Sequence, residues 1–105
     1  MAVKKQFNSF DELINNSDKP VLVDFYATWC GPCHLMADIL NEVHSFIGDK
    51  ITIVKIDSDK YTELASKHHI VALPTLLLFK NGQKVDRIEG VLKAPDLIQR
   101  LSAAI

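Results

Sequence analysis

The strongest constraint in this chain is the run Val21-Leu22-Val23-Asp24-Phe25-Tyr26-Ala27. Its residues are β-formers and almost all apolar, so both faces of the strand must be covered, as for a central strand between two layers of helices. A turn follows over Thr28 to Pro32. Leu35, Met36, Ile39, Leu40, Val43 and Phe46-Ile47 then recur at helical spacing, and Gly48 closes that helix.

The remaining segments extend this alternation. Val3 to Phe7 reads as a short edge strand. Ser9-Phe10-Asp11-Glu12 reads as a capping box, with Phe10, Leu13 and Ile14 forming the apolar stripe of a helix that Ser17-Asp18-Lys19-Pro20 breaks. Ile51 to Ile56 is a further strand, and Tyr61, Leu64 and Ala65 mark a short helix that His68 and His69 end in solvent. Pro74 precedes a strand from Thr75 to Lys80. Asn81-Gly82 is a two-residue hairpin signal leading into Val85 to Glu89. Pro95 suits the first turn of a last helix that buries Leu97, Ile98 and Leu101. The order β-α-β-α-β-α-β-β-α predicts an α/β fold, a mixed central sheet of about five strands flanked by about four helices on both faces. A length of 105 residues predicts a single domain spanning 1–105.

Composition narrows the classes of function. With 48% hydrophobic and 24% charged residues the chain is too apolar for a disordered protein. A formal net charge of -1 supplies no global attraction to nucleic acid or to an anionic membrane. No apolar stretch approaches the roughly eighteen residues of a membrane span. Met1-Ala2-Val3-Lys4-Lys5 is followed by polar residues, not by the apolar core of a signal peptide. A soluble monomer with neither nucleic-acid nor membrane partners is expected; a transit peptide removed earlier would leave the same sequence.

The two cysteines stand three positions apart in Trp29-Cys30-Gly31-Pro32-Cys33, where the central strand gives way to the long helix. A C-x-x-C pair beside a βαβ pattern is a redox arrangement, since a secreted disulfide scaffold carries more cysteines at wider separations. Open α/β sheets place functional groups beyond the carboxyl ends of their strands. The unpaired N–H groups and positive dipole end of the helix favour thiolate over thiol. Cys30, at the outer edge, is the expected attacking sulfur, and Cys33, one turn inside, the resolving one. Asp24 is a carboxylate inside an apolar strand. Its ionisation should be costly and its pKa raised, which fits a group that exchanges a proton near neutrality.

Competing readings use the same residues. Cys30-Gly31-Pro32-Cys33-His34 satisfies C-x-x-C-H, the attachment pattern for c-type haem, but such chains are usually exported and largely helical. Cys30, Cys33 and His34 with one of His44, His68 or His69 supply ligand types for zinc, at irregular spacing. A third reading keeps the fold as a binding module.

Over essentially its whole length the sequence resembles thioredoxin. The match rests on Asp24-Phe25-Tyr26-Ala27-Thr28-Trp29-Cys30-Gly31-Pro32-Cys33, on Lys55, on Leu73-Pro74-Thr75, on Phe79-Lys80-Asn81-Gly82 and on Gly90. The resemblance implies the thioredoxin fold and a protein-disulfide reductase that holds no cofactor of its own. It implies that Asp24 assists deprotonation of Cys33, with Lys55 as its partner. It also implies a cis Pro74 packed against the active disulfide, leaving the backbone of Leu73 to pair with substrate. Trp29, Gly31, Pro32, Leu73, Gly90 and Val91 would then make an apolar rim for target proteins. Gly31-Pro32 between the cysteines looks like the dipeptide of reductants. Recharging would fall to a separate reductase, a flavoenzyme using NADPH or a ferredoxin-dependent enzyme.

The segments from Ser17 to Trp29, Leu73-Pro74-Thr75 and Arg87 to Leu92 look most like plastid thioredoxins of the y type. That likeness implies the chloroplast stroma and peroxide-removing peroxiredoxins among the targets. The runner-up is a bacterial or cytosolic general thioredoxin in the cytoplasm. Two residues depart from the family pattern. His34 stands where a lysine or arginine is common, and reads as an exposed helix residue with little effect on Cys30; Glu89 stands where many relatives carry an apolar residue, and either discourages acidic substrates or is only a solvated rim charge.

Overall fold

Ser9 begins the first helix as the capping pattern predicts: its hydroxyl accepts from the Glu12 N–H at 3.2 Å, satisfying a backbone donor that the helix leaves unpaired. The computed structural model describes the backbone of Val3 and Lys4 and residues 9–105 in full. The elements run β1 (Val3–Lys4), α1 (Phe10–Asn16), β2 (Val21–Tyr26), α2 (Gly31–Ile47), β3 (Thr52–Asp57), α3 (Thr62–Lys67), β4 (Thr75–Lys80), β5 (Gln83–Glu89) and α4 (Ala94–Ala104). This is the predicted order. The rest of the expected first strand, residues 5–7, lies outside the described residues.

The four longer strands and the two-residue β1 form a mixed sheet in the order β1-β3-β2-β4-β5. β1, β3 and β2 pair in parallel, and β4 runs antiparallel to both β2 and β5. β2 is therefore central, and Val21 to Phe25 are all buried. Alternation sorts the sheet into two faces. Leu22, Ile53, Leu76, Leu78 and Ile88 pack against Met36, Leu40, Val43 and Ile47 of α2 and Leu97 and Leu101 of α4. Val21, Val23, Phe25, Val54, Ile56, Leu77 and Phe79 pack against Phe10 and Ile14 of α1 and Ala65 of α3. Each fully buried aliphatic or Phe side chain contributes roughly 1.5–3 kcal/mol relative to exposure.

Three local features differ from the sequence reading or sharpen it. Leu35 and Phe46, grouped with the apolar repeat of α2, are 54% and 68% exposed, because the helix turns only one stripe toward the sheet. His68 does not end α3 in solvent: its ring lies 5.2, 6.0 and 6.1 Å from those of Phe10, Phe79 and Phe25. At the hairpin, Asn81 and Gly82 take φ values of 54° and 78°, the left-handed pair that a type I′ turn requires. β5 accordingly starts at Gln83. Pairing of Phe79 with Lys84 and Leu78 with Asp86 leaves Val85 as a bulge. Arg100 of α4 holds both carboxylate oxygens of Asp86 at 2.8 Å, tying the last helix to the edge strand.

Candidate active site at the β2–α2 junction

The chain leaves β2 at Tyr26, and the Cys30 N–H closes a turn onto the Ala27 carbonyl at 3.2 Å. Cys30 is then the N-cap of α2, with Gly31 and Pro32 opening the helix. Proline is tolerated there because its missing N–H is one the first turn would leave unpaired anyway. The Cys33 N–H donates to Cys30 Sγ at 3.2 Å, so sulfur plays the part usually taken by a capping hydroxyl. The two cysteines are joined in a disulfide, with Cα atoms 5.3 Å apart.

Exposure does not separate the two sulfurs as the sequence reading supposed, since Cys30 and Cys33 are 5% and 4% exposed. Position does. Cys30 lines an open groove of about 650 Å³ together with Trp29, Gly31, Pro32, Ile70, Val71, Ala72 and Leu73, whereas Cys33 lies behind it. Ser58, Thr62, Ala65 and Ser66 complete the groove's lining. Trp29 is 72% exposed and is oriented by its indole N–H, which donates to Asp59 at 2.8 Å. The His34 Nε2–H donates to the Thr28 carbonyl at 2.9 Å, folding the ring back onto the turn.

The Leu73–Pro74 peptide is cis. Leu73 packs against the cluster formed by Ala27, Cys30 and Cys33. On the far side of Pro74 the Gly90 N–H donates to its carbonyl at 2.9 Å, extending the β4–β5 ladder beyond Glu89. Gly90 takes φ 86°, a left-handed conformation that strongly favours glycine. Val91 follows at the exposed rim. Of the rim residues proposed from the sequence, Trp29, Gly31, Pro32 and Leu73 line the groove with Cys30, and Gly90 is tied to the neighbouring Pro74 through its carbonyl.

Asp24 lies on the opposite side of the sheet from the groove, in register with Lys55 of β3 and Leu76 of β4. It is fully buried, and neither carboxylate oxygen has a hydrogen-bond partner among the described residues. Burial pushes its pKa up to about 7, and the Lys55 ammonium opposes that rise. Lys55 is half-buried, with Nζ 4.6 Å from the centre of the Tyr26 ring in a cation–π contact. Tyr26 in turn packs on the cluster that Ala27 forms with the two cysteines.

Sequence reasoning missed Tyr26, Asp59 and the α3 side of the groove. Asp57-Ser58-Asp59 directly after a parallel strand was a usable signal, because functional loops gather at that end of the sheet. Cys30, Cys33, His34 and the other histidines do not come together as a metal-ligand group among the described residues.

The family model described as Thioredoxin matches residues 1–103. Thioredoxin Y2, chloroplastic, from Arabidopsis thaliana is 60% identical over 105 residues, 99% of this chain and 63% of the relative. Thioredoxin Y, chloroplastic, from Oryza sativa subsp. japonica is 57% identical over 104 residues, covering 99% of this chain and 62% of its own length. The chain therefore spans about three-fifths of these plastid relatives. A thioredoxin-like protein of Synechocystis sp. is 57% identical over 105 residues, covering the whole of both chains. With this match along its length and a C-x-x-C disulfide at the head of α2, the chain belongs to the thioredoxin family.

Proposed function

We propose that the protein reduces disulfides in other proteins by cycling Cys30 and Cys33 between dithiol and disulfide. The observation that carries this reading is the Cys30–Cys33 disulfide at a helix N-terminus, open on one side to an apolar groove. In the reduced protein the Cys30 thiolate attacks one sulfur of a substrate disulfide, forming a mixed disulfide and expelling the other sulfur as a thiolate. Cys33 then loses its proton to Asp24 and attacks Cys30 Sγ. The internal disulfide forms, the second substrate sulfur leaves as thiolate, and two electrons have passed to the substrate. Asp24 is suited to the proton step because its pKa lies near the working pH. Lys55 stabilises the charge that Asp24 acquires on giving the proton up.

Trp29, Gly31, Pro32, Leu73, Pro74, Gly90 and Val91 form the substrate rim, with the backbone of Leu73 available for strand-like pairing to the target. The domain acts as one unit, needs no bound cofactor, and is recharged by a separate reductase dependent on NADPH or ferredoxin. Plant relatives named chloroplastic support the plastid stroma as its compartment, with peroxiredoxins among its targets. The match to the Synechocystis protein along the whole of both chains supports a second reading, a bacterial or cytosolic general thioredoxin in the cytoplasm.

The test is to replace Cys33 with Ser and incubate the reduced variant with a stromal or cytosolic extract. Stalled mixed disulfides on Cys30 are expected, released by dithiothreitol. Capture no greater than that by a Cys30→Ser control refutes the proposal.

A further inference from the structure

One wall of the groove is an irregular segment, Ile70 to Leu73, between the end of α3 and the start of β4. Something must hold it. Its downstream end is fixed by Thr75, whose hydroxyl donates to the Ala72 carbonyl at 2.6 Å, and by the Gly90 N–H on the Pro74 carbonyl at 2.9 Å. Its upstream end is a sharp corner at His68 and His69. His69 takes φ 55°, left-handed backbone that a histidine adopts only at a cost.

That corner is held from another element. Arg87, on β5 in register with Leu77, sends Nη1 to the His68 carbonyl at 2.8 Å and Nη2 to the His69 carbonyl at 2.6 Å. These carbonyls belong to a helix end, where acceptors lack partners and carry partial negative charge, so a planar cation with parallel donors suits them. The remaining edge of the guanidinium is occupied by Glu89, which accepts from Nε at 3.0 Å. Glu89 immediately precedes Gly90 of the rim. The exposed ion pair alone is worth little, but the two bonds to the carbonyls are charge-assisted and of the stronger kind, and the one to His68 is partly buried.

We propose that Arg87 is a positioning residue for the substrate groove: by bracketing the His68 and His69 carbonyls it fixes the Ile70–Leu73 wall and so sets affinity for protein substrates. The inference rests on the reductase reading. Without the bracket the left-handed corner relaxes and the wall samples positions that a target must pay to reorder on binding. Small disulfides that meet Cys30 without using the wall depend on it less. Glu89 aligns the guanidinium and is itself neutralised by it, so the acidic rim residue does not act as a free charge toward a target.

The experiment compares Arg87→Met, Arg87→Lys and the double variant Arg87→Met/Glu89→Gln with wild type. The probes are insulin, as a protein disulfide, and dithiobis(nitrobenzoate), as a small one. Arg87→Met is expected to raise KM for insulin about three- to tenfold with kcat largely held, and to affect the small disulfide less. Arg87→Lys retains one donor and should show a smaller change in the same direction, which keeps the test open if Arg87→Met folds poorly. The double variant should keep the raised KM.

Hydrogen exchange supplies a readout that needs no turnover. The Ile70 amide, bonded to the Ala65 carbonyl at 3.0 Å, should exchange about tenfold faster in Arg87→Met, with amides of the central strand unchanged. An unaltered KM with unaltered Ile70 exchange, restoration of KM by Glu89→Gln, or an equal loss of kcat with both probes each overturns the inference. A wild-type protein that reduces neither probe refutes the reductase reading instead.

Discussion

Asp24 shows how one side chain set against its surroundings becomes useful. In the unfolded chain its carboxyl titrates near 3.8, and in the fold near 7, because burial penalises the anion more than Lys55 relieves it. Between those values the native state holds a proton that the unfolded state has released. Stability is therefore greatest below the lower value and declines as pH rises, with the whole cost, on the order of 4 kcal/mol, present above about pH 7. Asp24→Asn removes the titration. In urea melts the variant should gain a few kcal/mol over wild type at about pH 8 and converge with it near pH 3.5. A constant difference across that range would contradict this account. If Asp24 takes the Cys33 proton as proposed, the gain in stability should come with slower reaction of Cys33 at neutral pH.

At the scale of elements, the hairpin between β4 and β5 was legible because the demand is local. Only residues that tolerate left-handed backbone fit a type I′ turn, and Asn81-Gly82 announces one. A second constraint at Gly82 was not legible: a Cβ there would run into the Asn15 side chain of α1, a contact between residues far apart in sequence. Gly82→Ala should therefore destabilise by about 1–3 kcal/mol in chemical denaturation. Adding Asn15→Ala should recover only part, leaving the backbone cost. The same division explains the other outcomes. The periods of α2 and β2 were readable because burial follows them, but which apolar residues of α2 fall outside the stripe depends on how the helix is set against the sheet, and Leu35 and Phe46 do. Asp24, Cys30 and Cys33 stood out as chemistry in an apolar setting. Arg87 did not, because its partners are carbonyl oxygens on a distant corner and leave no periodic trace.

For the molecule as a whole, the sheet separates two titratable side chains whose effects on stability run in opposite directions. Asp24 is on the α2/α4 face, and His68 is on the α1/α3 face with its Nε2 buried and lacking a hydrogen-bond partner among the described residues. Burial lowers the His68 pKa, helped by Lys67, Lys84 and Arg87 and opposed by Asp11. The unfolded chain therefore takes up a proton first, and the stability due to the neutral ring is lost as pH falls through about 6.5. His68→Phe keeps the ring among Phe10, Phe25 and Phe79 without the titration. Its urea midpoint should exceed that of wild type by more at pH 5.5 than at about pH 7.5; a pH-independent difference would show that the imidazole is not responsible. The same partition of faces bears on traffic through the site. On the proposed mechanism a target seated in the groove would cover the α3 side of the disulfide and leave the Lys55 side open, so the electrons and the proton given up by Cys33 would travel by separate doors.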